Sequence, residues 1–203
     1  MIVGYPGHIV TPLAKLISRK MVIVDALGSL YDAETNSHNP TFFKKIKSYI
    51  ADWLVIIFAD QILLESFEQK KFFERKFRKS NKYNVLYTGT DEDVFNKNIV
   101  NNINNREKFI VLFRGKLTPE SGIMYILEAM KSLKENKKIL LRMIGSGYLL
   151  EKVKKYISEN KLENIELITD YLSEEDLVKK ISDASISLGQ FENNPRLNRT
   201  IPH

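Results

Sequence analysis

The sequence contains no cysteine, which excludes disulfide bonds and thiolate chemistry. Its three histidines, His8, His38 and His203, lack the spacing of metal ligands, so no metal site is expected. The longest apolar run, residues 53–59, is far shorter than the roughly 20 residues that span a bilayer. The amino terminus lacks the basic segment and apolar core of a secretory signal. We therefore expect a cytoplasmic protein, either soluble or peripherally bound at the inner face of the membrane.

The charge is only weakly one-sided, since 31 Lys and Arg stand against 25 Asp and Glu and give a formal net charge of +6. This excess is compatible with a phosphate-bearing ligand or an anionic surface and demonstrates neither. No nucleic-acid partner is expected. A length of 203 residues with 43% hydrophobic residues suits one large or two small globular domains.

Four short apolar runs dominate the second half of the chain, at residues 109–113, 139–144, 165–169 and 185–189. The segments between them carry apolar residues at helical spacing. Alternation of strands and amphipathic helices is typical of βαβ units, which form a parallel sheet covered by helices. The loops that meet a ligand then gather at the carboxyl ends of the strands.

The first half shows the same alternation, so the predicted fold is α/β with two Rossmann-like parallel-sheet halves, both incomplete. Residues 96–107 are rich in asparagine and have little capacity to form a core, so we predict a linker there. The predicted domains are residues 1–95 and residues 108–203.

Glycine loops follow two of the predicted strands. In the first, Arg114 and Lys116 flank Gly115, and such a loop can bring cations and backbone close to a diphosphate. Ser121 and Gly122 open the next helix, whose amino end favours an anion. The alternative is a strand-end turn with two solvated cations.

The second loop is Gly145-Ser146-Gly147, in the position of a dinucleotide fingerprint. Leu150 stands where that fingerprint has its third glycine, which disfavours NAD or FAD. An ordinary tight turn between strand and helix is the alternative. No part of the sequence resembles a P-loop or a nucleophile elbow.

Two side chains of the first half stand where catalytic groups lie in open α/β sheets. His8 follows the first predicted strand, and Asp25 ends the next one. Either side chain could act as a general base or hydrogen-bonding group at the carboxyl edge of the sheet. A buried structural role is the alternative for both.

Two predicted helices combine aromatic and basic residues, around residues 42–47 and 70–79. Such segments can dock on anionic lipid headgroups, so peripheral membrane contact is one hypothesis. In the alternative, Phe72, Phe73 and Phe77 belong to the core and the lysines form a solvated face.

Five segments in order resemble motifs of the retaining GT-B-type glycosyltransferases, the large family 4 class. Residues 59–66 are similar to a step late in the first domain of that family, and residues 87–95 to the segment that precedes its second domain. Residues 111–122 and 142–147 resemble its two glycine loops, and residues 172–188 its following helix and strand. The resemblance covers nearly the whole chain.

The resemblance implies transfer of a sugar from a nucleotide-diphosphate donor to a sugar or lipid-linked acceptor, without a further cofactor. Gly115 and Lys116 would contact the donor diphosphate, and Tyr171 the nucleobase. Ser121 stands where the family commonly has a phosphate-binding lysine, so one positive charge is missing. His8 would lie near the acceptor-side histidine of the family.

One departure concerns a pair of glutamates, spaced by seven residues, that contacts the donor sugar in the family. Glu192 is not a convincing first member of that pair. The resemblance therefore suggests a partial or truncated chain, with weak or no turnover. A non-catalytic module that binds a nucleotide or another anion is the alternative function.

Overall fold

The computed structural model describes residues 1–37, 39–95 and 107–200. The chain divides into two compact units. The first unit is Met1–Gly89 together with a segment that begins at Asn194, and the second is Thr90–Asn193. The strands of the described part form two four-stranded sheets, one in each unit, and every strand pair in them is parallel. The predicted α/β fold with two parallel sheets is confirmed.

The first unit has its strands in the spatial order β1-β2-β3-β4, so each strand lies beside its neighbour in sequence. Its elements are β1 (Ile2–Val3), α1 (Thr11–Ile17), β2 (Ile23–Leu27), α2 (Leu30–Thr35), α3 (Phe42–Phe58), β3 (Gln61–Leu64), α4 (Phe67–Lys76) and β4 (Tyr83–Val85). A single 3-10 turn, Gly7–Val10, joins β1 to α1.

Helix α3 shows how the sequence builds this unit. The Thr41 hydroxyl caps its amino end by accepting a hydrogen bond from the backbone N–H of Lys44. Val55 and Ile56 lie on its buried face and pack into the same core as the strand residues Val24, Ala26, Ile62 and Leu64. The helix ends at Phe58 because Ala59 takes an extended conformation that leads into β3.

Helix α2 lies between β2 and α3, in a stretch that also contains the loop-favouring residues Gly28, Asn36 and Pro40. The Ser29 hydroxyl caps it by accepting from the N–H of Asp32. The buried Asp52 carboxylate, on α3, accepts from the N–H groups of Leu30 and Tyr31 and from the Ser29 hydroxyl. The side chain that stabilises the first turn of α2 therefore lies more than 20 residues further along the chain.

The second unit has the spatial order β7-β6-β5-β8, which places β5 and β6 in the middle of the sheet. Its elements are β5 (Phe109–Arg114), α5 (Ile123–Ser132), β6 (Ile139–Ile144), α6 (Leu150–Glu159), β7 (Ile165–Ile168), α7 (Glu174–Ser182) and β8 (Ile186–Leu188). The core joins strand and helix residues, among them Phe113, Leu127, Leu141, Met143 and Val153.

The two compact units differ from the predicted domains at two points. Residues 90–95 belong to the second unit, and the segment that begins at Asn194 belongs to the first. The Arg199 guanidinium donates to both carboxylate oxygens of Asp32, at 2.6 and 3.0 Å, and the Ser66 hydroxyl donates to the Arg199 carbonyl at 2.5 Å. The predicted linker, apart from Glu107, lies outside the described residues.

A transmembrane helix is not among the elements of the described ranges, because no helix there is both long and apolar enough to cross a bilayer.

Candidate functional site

A cavity of about 350 Å³ lies at the carboxyl edge of the second sheet. The ends of β5 and β6 and the loop after β7 form its walls, and α7 contributes one side chain. Its lining residues are Arg114, Gly115, Lys116, Ile144, Gly145, Ser146, Asp170, Tyr171, Leu172 and Leu177. This is the edge at which open parallel sheets bind ligands.

Backbone hydrogen bonds hold the two glycine loops against each other. Gly115 donates to the Ile144 carbonyl at 3.0 Å, and Gly145 donates to the Ile168 carbonyl at 2.9 Å. Beyond the strands, Leu117 donates to the Ser146 carbonyl at 3.0 Å. The backbone hydrogen bonds of the sheet thus continue into the two glycine loops. These bonds fix the position of the loops that form the cavity wall.

The close approach of the loops requires glycine at position 145. Its φ of +149° lies in a region that L side chains rarely adopt. A Cβ atom there would overlap the Gly115 carbonyl oxygen and lie 3.0 Å from the Gly115 carbonyl carbon. Both atoms belong to the backbone and cannot rotate away.

The cavity carries more positive than negative charge. Arg114 and Lys116 are exposed at its wall, and neither forms an ion pair with any described residue. Asp170 is the one acidic residue in the lining. In the described part of the chain, the N–H groups of Lys116 and Ser146 donate to no backbone carbonyl. Two cations and two backbone donors suit an anion that bears several oxygens.

The residues after β7 add aromatic and apolar groups to the lining of the cavity. Tyr171 follows β7 and is 97% exposed, so its ring is free to stack on a flat ligand group. Leu172 and Leu177 lie beside it in the lining. Two cations and an exposed aromatic ring in the lining of one cavity are a combination that suits a nucleotide.

The structure brings six of the predicted binding residues to this cavity and leaves three outside its lining. Arg114, Gly115, Lys116, Gly145, Ser146 and Tyr171 line it, whereas Ser121, Gly122 and Gly147 do not.

Ser121 is buried, and its hydroxyl donates to the Thr118 carbonyl at 2.6 Å. Gly122 has a φ of +65° and is covered by Phe191, because a Cβ there would lie 2.7 Å from the Phe191 Cβ. Gly147 packs against the Leu117 backbone. All three shape the loops around the cavity, and their predicted contact with a ligand remains a prediction.

His8 lies in the interior of the first unit with no exposed surface. Burial lowers its pKa, so the ring is neutral near pH 7. Its Nε2 lies 3.6 Å from an Asp52 carboxylate oxygen, which is beyond hydrogen-bonding distance. A general base must reach the proton that it removes, so this placement does not support the predicted catalytic role.

Asp25 lies inside β2 and not at its end, since that strand runs to Leu27. Its carboxylate accepts from the Leu27 N–H at 3.3 Å. This contact is local and structural.

Sequence reasoning missed four lining residues, Ile144, Asp170, Leu172 and Leu177. Ile144 ends β6 and the other three follow β7 in the chain, so their signal was their position near the sheet edge that carries both glycine loops. Among the described residues, no cluster of His, Asp and Glu could hold a metal ion.

The fold and cavity define the class of this protein as a Rossmann-like α/β protein of the GT-B glycosyltransferase type. Residues 94–195, about half of the chain, match the family described as "Glycosyl transferases group 1". The chain belongs to that family.

Several solved protein structures have a similar fold. HepE of Anabaena, crystallised with UDP and glucose, matches 93% of this chain with a TM-score of 0.70 and 14% identity. A mutant of S. aureus TarM, in complex with fondaparinux, alpha-GlcNAc-glycerol and UDP, matches 93% of the chain with a TM-score of 0.64 and 16% identity. WaaG, a glycosyltransferase involved in lipopolysaccharide biosynthesis, matches 89% with a TM-score of 0.62 and 15% identity.

The match covers 52% of the HepE chain, 36% of TarM and 55% of WaaG. The chain therefore spans about half or less of the length of these proteins. No curated protein sequence matches it.

Proposed function

We propose that this chain binds a nucleoside-diphosphate sugar at the carboxyl edge of its second sheet and transfers the sugar to an acceptor hydroxyl. The observation that carries the proposal is that Arg114 and Lys116 line the cavity without an ion-pair partner among the described residues, on a loop that backbone hydrogen bonds hold beside Gly145. Family membership and the UDP-sugar complex of HepE support it.

In this proposal the diphosphate lies against Lys116 and Arg114 and accepts hydrogen bonds from the N–H groups of Lys116 and Ser146. The nucleobase stacks near Tyr171. The bond between the sugar C1 and the diphosphate oxygen breaks, and the diphosphate leaves with the electron pair. A new bond forms between C1 and the acceptor oxygen, whose proton is released. The two cations stabilise the negative charge that develops on the leaving group.

Calorimetric titration with UDP, GDP and ADP tests donor binding. Lys116→Ala should weaken binding of the preferred nucleotide about tenfold, since a hydrogen bond to a charged group contributes about 1.5 kcal/mol. Lys138→Ala is a matched control, because Lys138 is exposed and precedes β6 at the opposite edge of the same sheet. Equal weakening in both variants would argue against a diphosphate site at Lys116.

A turnover assay with the corresponding nucleotide-sugar separates transfer from binding alone. Release of the nucleoside diphosphate that requires a sugar acceptor supports glycosyl transfer. Binding without release would instead support a non-catalytic nucleotide-binding module.

We also propose that the protein acts on the cytoplasmic side of a membrane and contacts it through α3. The first half of this helix exposes Phe42, Phe43 and Ile50, which are 71%, 83% and 51% exposed. Lys44 and Lys47 lie between them in sequence and are exposed as well. Aromatic residues interleaved with lysines suit an anionic lipid surface and a lipid-linked acceptor. Sedimentation with anionic vesicles tests the contact, and recovery of all protein in the supernatant would refute it.

A further inference from the structure

A second cavity of about 350 Å³ lies within the first unit, where helices α2, α3 and α4 meet. Its lining residues are Tyr31, Phe42, Lys45, Ile46, Tyr49 and Lys76. The proposed donor site uses none of these side chains. A volume of this size is at the lower end of the range for small-ligand pockets.

The polar part of this cavity is positively charged. Lys76 comes from α4 and Lys45 from α3, and neither pairs with a carboxylate of the described chain. The Lys76 Nζ lies 4.5 Å from the centre of the Tyr31 ring and 6.0 Å from the centre of the Tyr49 ring. The lining thus holds two lysines and two tyrosines, and none of its described residues is acidic.

The positive charge of the two lysines also shifts the pKa of the Tyr31 phenol. The adjacent Lys76 ammonium group lowers the pKa of Tyr31, and the nearby charge of Lys45 acts in the same direction. An environment that favours a phenolate also favours a bound anion. Lysine ammonium groups bind phosphate as point charges, and tyrosine hydroxyls can add hydrogen bonds.

The apolar part of the cavity continues onto the outside of α3. Phe42 and Ile46 line the cavity, and Ile50 follows Ile46 at a spacing of four residues, which places the three on one face of the helix. Phe43 extends this face. A ligand with a phosphate in the cavity could therefore lay an apolar chain along the exposed face of α3.

We propose that this cavity binds the phosphate group of an anionic lipid, with the acyl or prenyl chain against Phe42, Ile46 and Ile50. This inference rests on the membrane contact proposed above and deepens it by naming the headgroup and its site. A lipid headgroup fits better than free phosphate, because the lysines and the exposed apolar face adjoin each other.

The test compares two kinds of phosphatidylcholine vesicle with equal surface charge. One kind contains phosphatidate and the other contains oleate, so only the first presents a phosphomonoester. The full chain should partition more strongly onto the phosphatidate vesicles. Lys45→Ala and Lys76→Ala should each lower this preference about fivefold, consistent with about 1 kcal/mol for one lysine at a lipid surface.

Lys44→Ala is the matched control, because Lys44 lies on α3 and is exposed but does not line the cavity. Lys44→Ala should lower partitioning onto both kinds of vesicle by the same factor. The preference for phosphatidate over oleate vesicles should not change. Equal partitioning of the unaltered chain onto both kinds would overturn the proposal, as would equal effects of Lys44→Ala and Lys45→Ala on the preference.

Soluble ligands separate the lipid from free phosphate and from the donor site. Dihexanoyl phosphatidate should bind the unaltered chain more tightly than inorganic phosphate, and Lys76→Ala should weaken that binding. Equal affinity for inorganic phosphate would assign the cavity to free phosphate and refute a lipid site. Affinity for the donor nucleotide should not change in Lys45→Ala or Lys76→Ala, so loss of the lipid site and failure of the donor site give different results.

Discussion

Replacement of Gly145 by alanine is the sharpest test of how the second unit builds its cavity. The added Cβ would overlap the Gly115 carbonyl oxygen. Neither loop can retreat freely, because Gly145 donates to Ile168 at 2.9 Å and Gly115 donates to Ile144 at 3.0 Å. Relief of the overlap must therefore lengthen at least one hydrogen bond at the centre of the sheet.

The expected cost has two parts. An alanine held at a positive φ costs about 1 kcal/mol relative to glycine. Separation of two packed backbone segments adds about 2 kcal/mol, as for other overpacked sites. The free energy of unfolding of the second unit should fall by about 3 kcal/mol, which corresponds to a decrease in Tm of about 12 °C or more for a unit of roughly 100 residues.

Calorimetry of the full chain measures this decrease, and titration with the preferred nucleotide measures the accompanying loss of binding. Gly189→Ala provides the control, because Gly189 is exposed and a Cβ there meets no atom within 4 Å. This variant should change the free energy of unfolding by less than about 0.5 kcal/mol. A Gly145→Ala chain with a Tm within about 3 °C of the unaltered chain, and with unchanged nucleotide affinity, would refute the close approach of the loops.

Two further predictions concern buried charges of the first unit. Burial raises the pKa of Asp52 to about 6 and lowers that of His8, so the two groups oppose each other in the pH dependence of stability. In His8→Gln the raised Asp52 pKa remains. Relative to the double variant His8→Gln/Asp52→Asn, which cancels the titration of the other carboxyl groups, its free energy of unfolding should fall by about 2 kcal/mol from pH 4 to pH 7 in urea denaturation. In Asp52→Asn the lowered His8 pKa remains, and this free energy should instead rise from pH 5 to pH 7; slopes of the same sign would contradict the assignment. Arg199→Ala leaves the Asp32 carboxylate buried without its cation and should cost about 3 kcal/mol, whereas Arg199→Lys should recover part of this. A loss below about 1 kcal/mol by the same measurement would show that the pair does not hold the carboxyl-terminal segment.

Local sequence patterns were sufficient to predict most of the lining of the cavity in the second unit. The strand-like runs that end at Arg114 and Ile144 predict neighbouring parallel strands, whose carboxyl ends meet at one sheet edge. Any loop that follows such a run is then placed at that edge. Arg114, Lys116 and Ser146 line one cavity for this reason.

Patterns of this kind do not specify which way a side chain points or what it meets from a distant part of the chain. Ser121 lies beside the cavity in sequence, yet its hydroxyl bonds to the turn that begins the next helix. The pair of Asp32 and Arg199 joins residues that are 167 positions apart, and no local spacing indicates it. The predicted second domain, residues 108–203, includes the segment that begins at Asn194, because no local pattern in the sequence indicates its contact with Asp32.

The two sheets also show why a shared topology does not give a shared function. In the first sheet, the carboxyl edge is filled by the chain itself: His8 and Gln69 are buried there, and a Cβ on Gly28 would lie 2.9 Å from the Gln69 amide nitrogen. In the second sheet, Gly115 and Gly145 occupy the corresponding strand ends and leave a cavity. Gly28 also follows a strand directly, so the side chains that pack over the strand ends, and not the glycines themselves, decide which carboxyl edge has room for a ligand. In the second unit this room is the proposed nucleotide site.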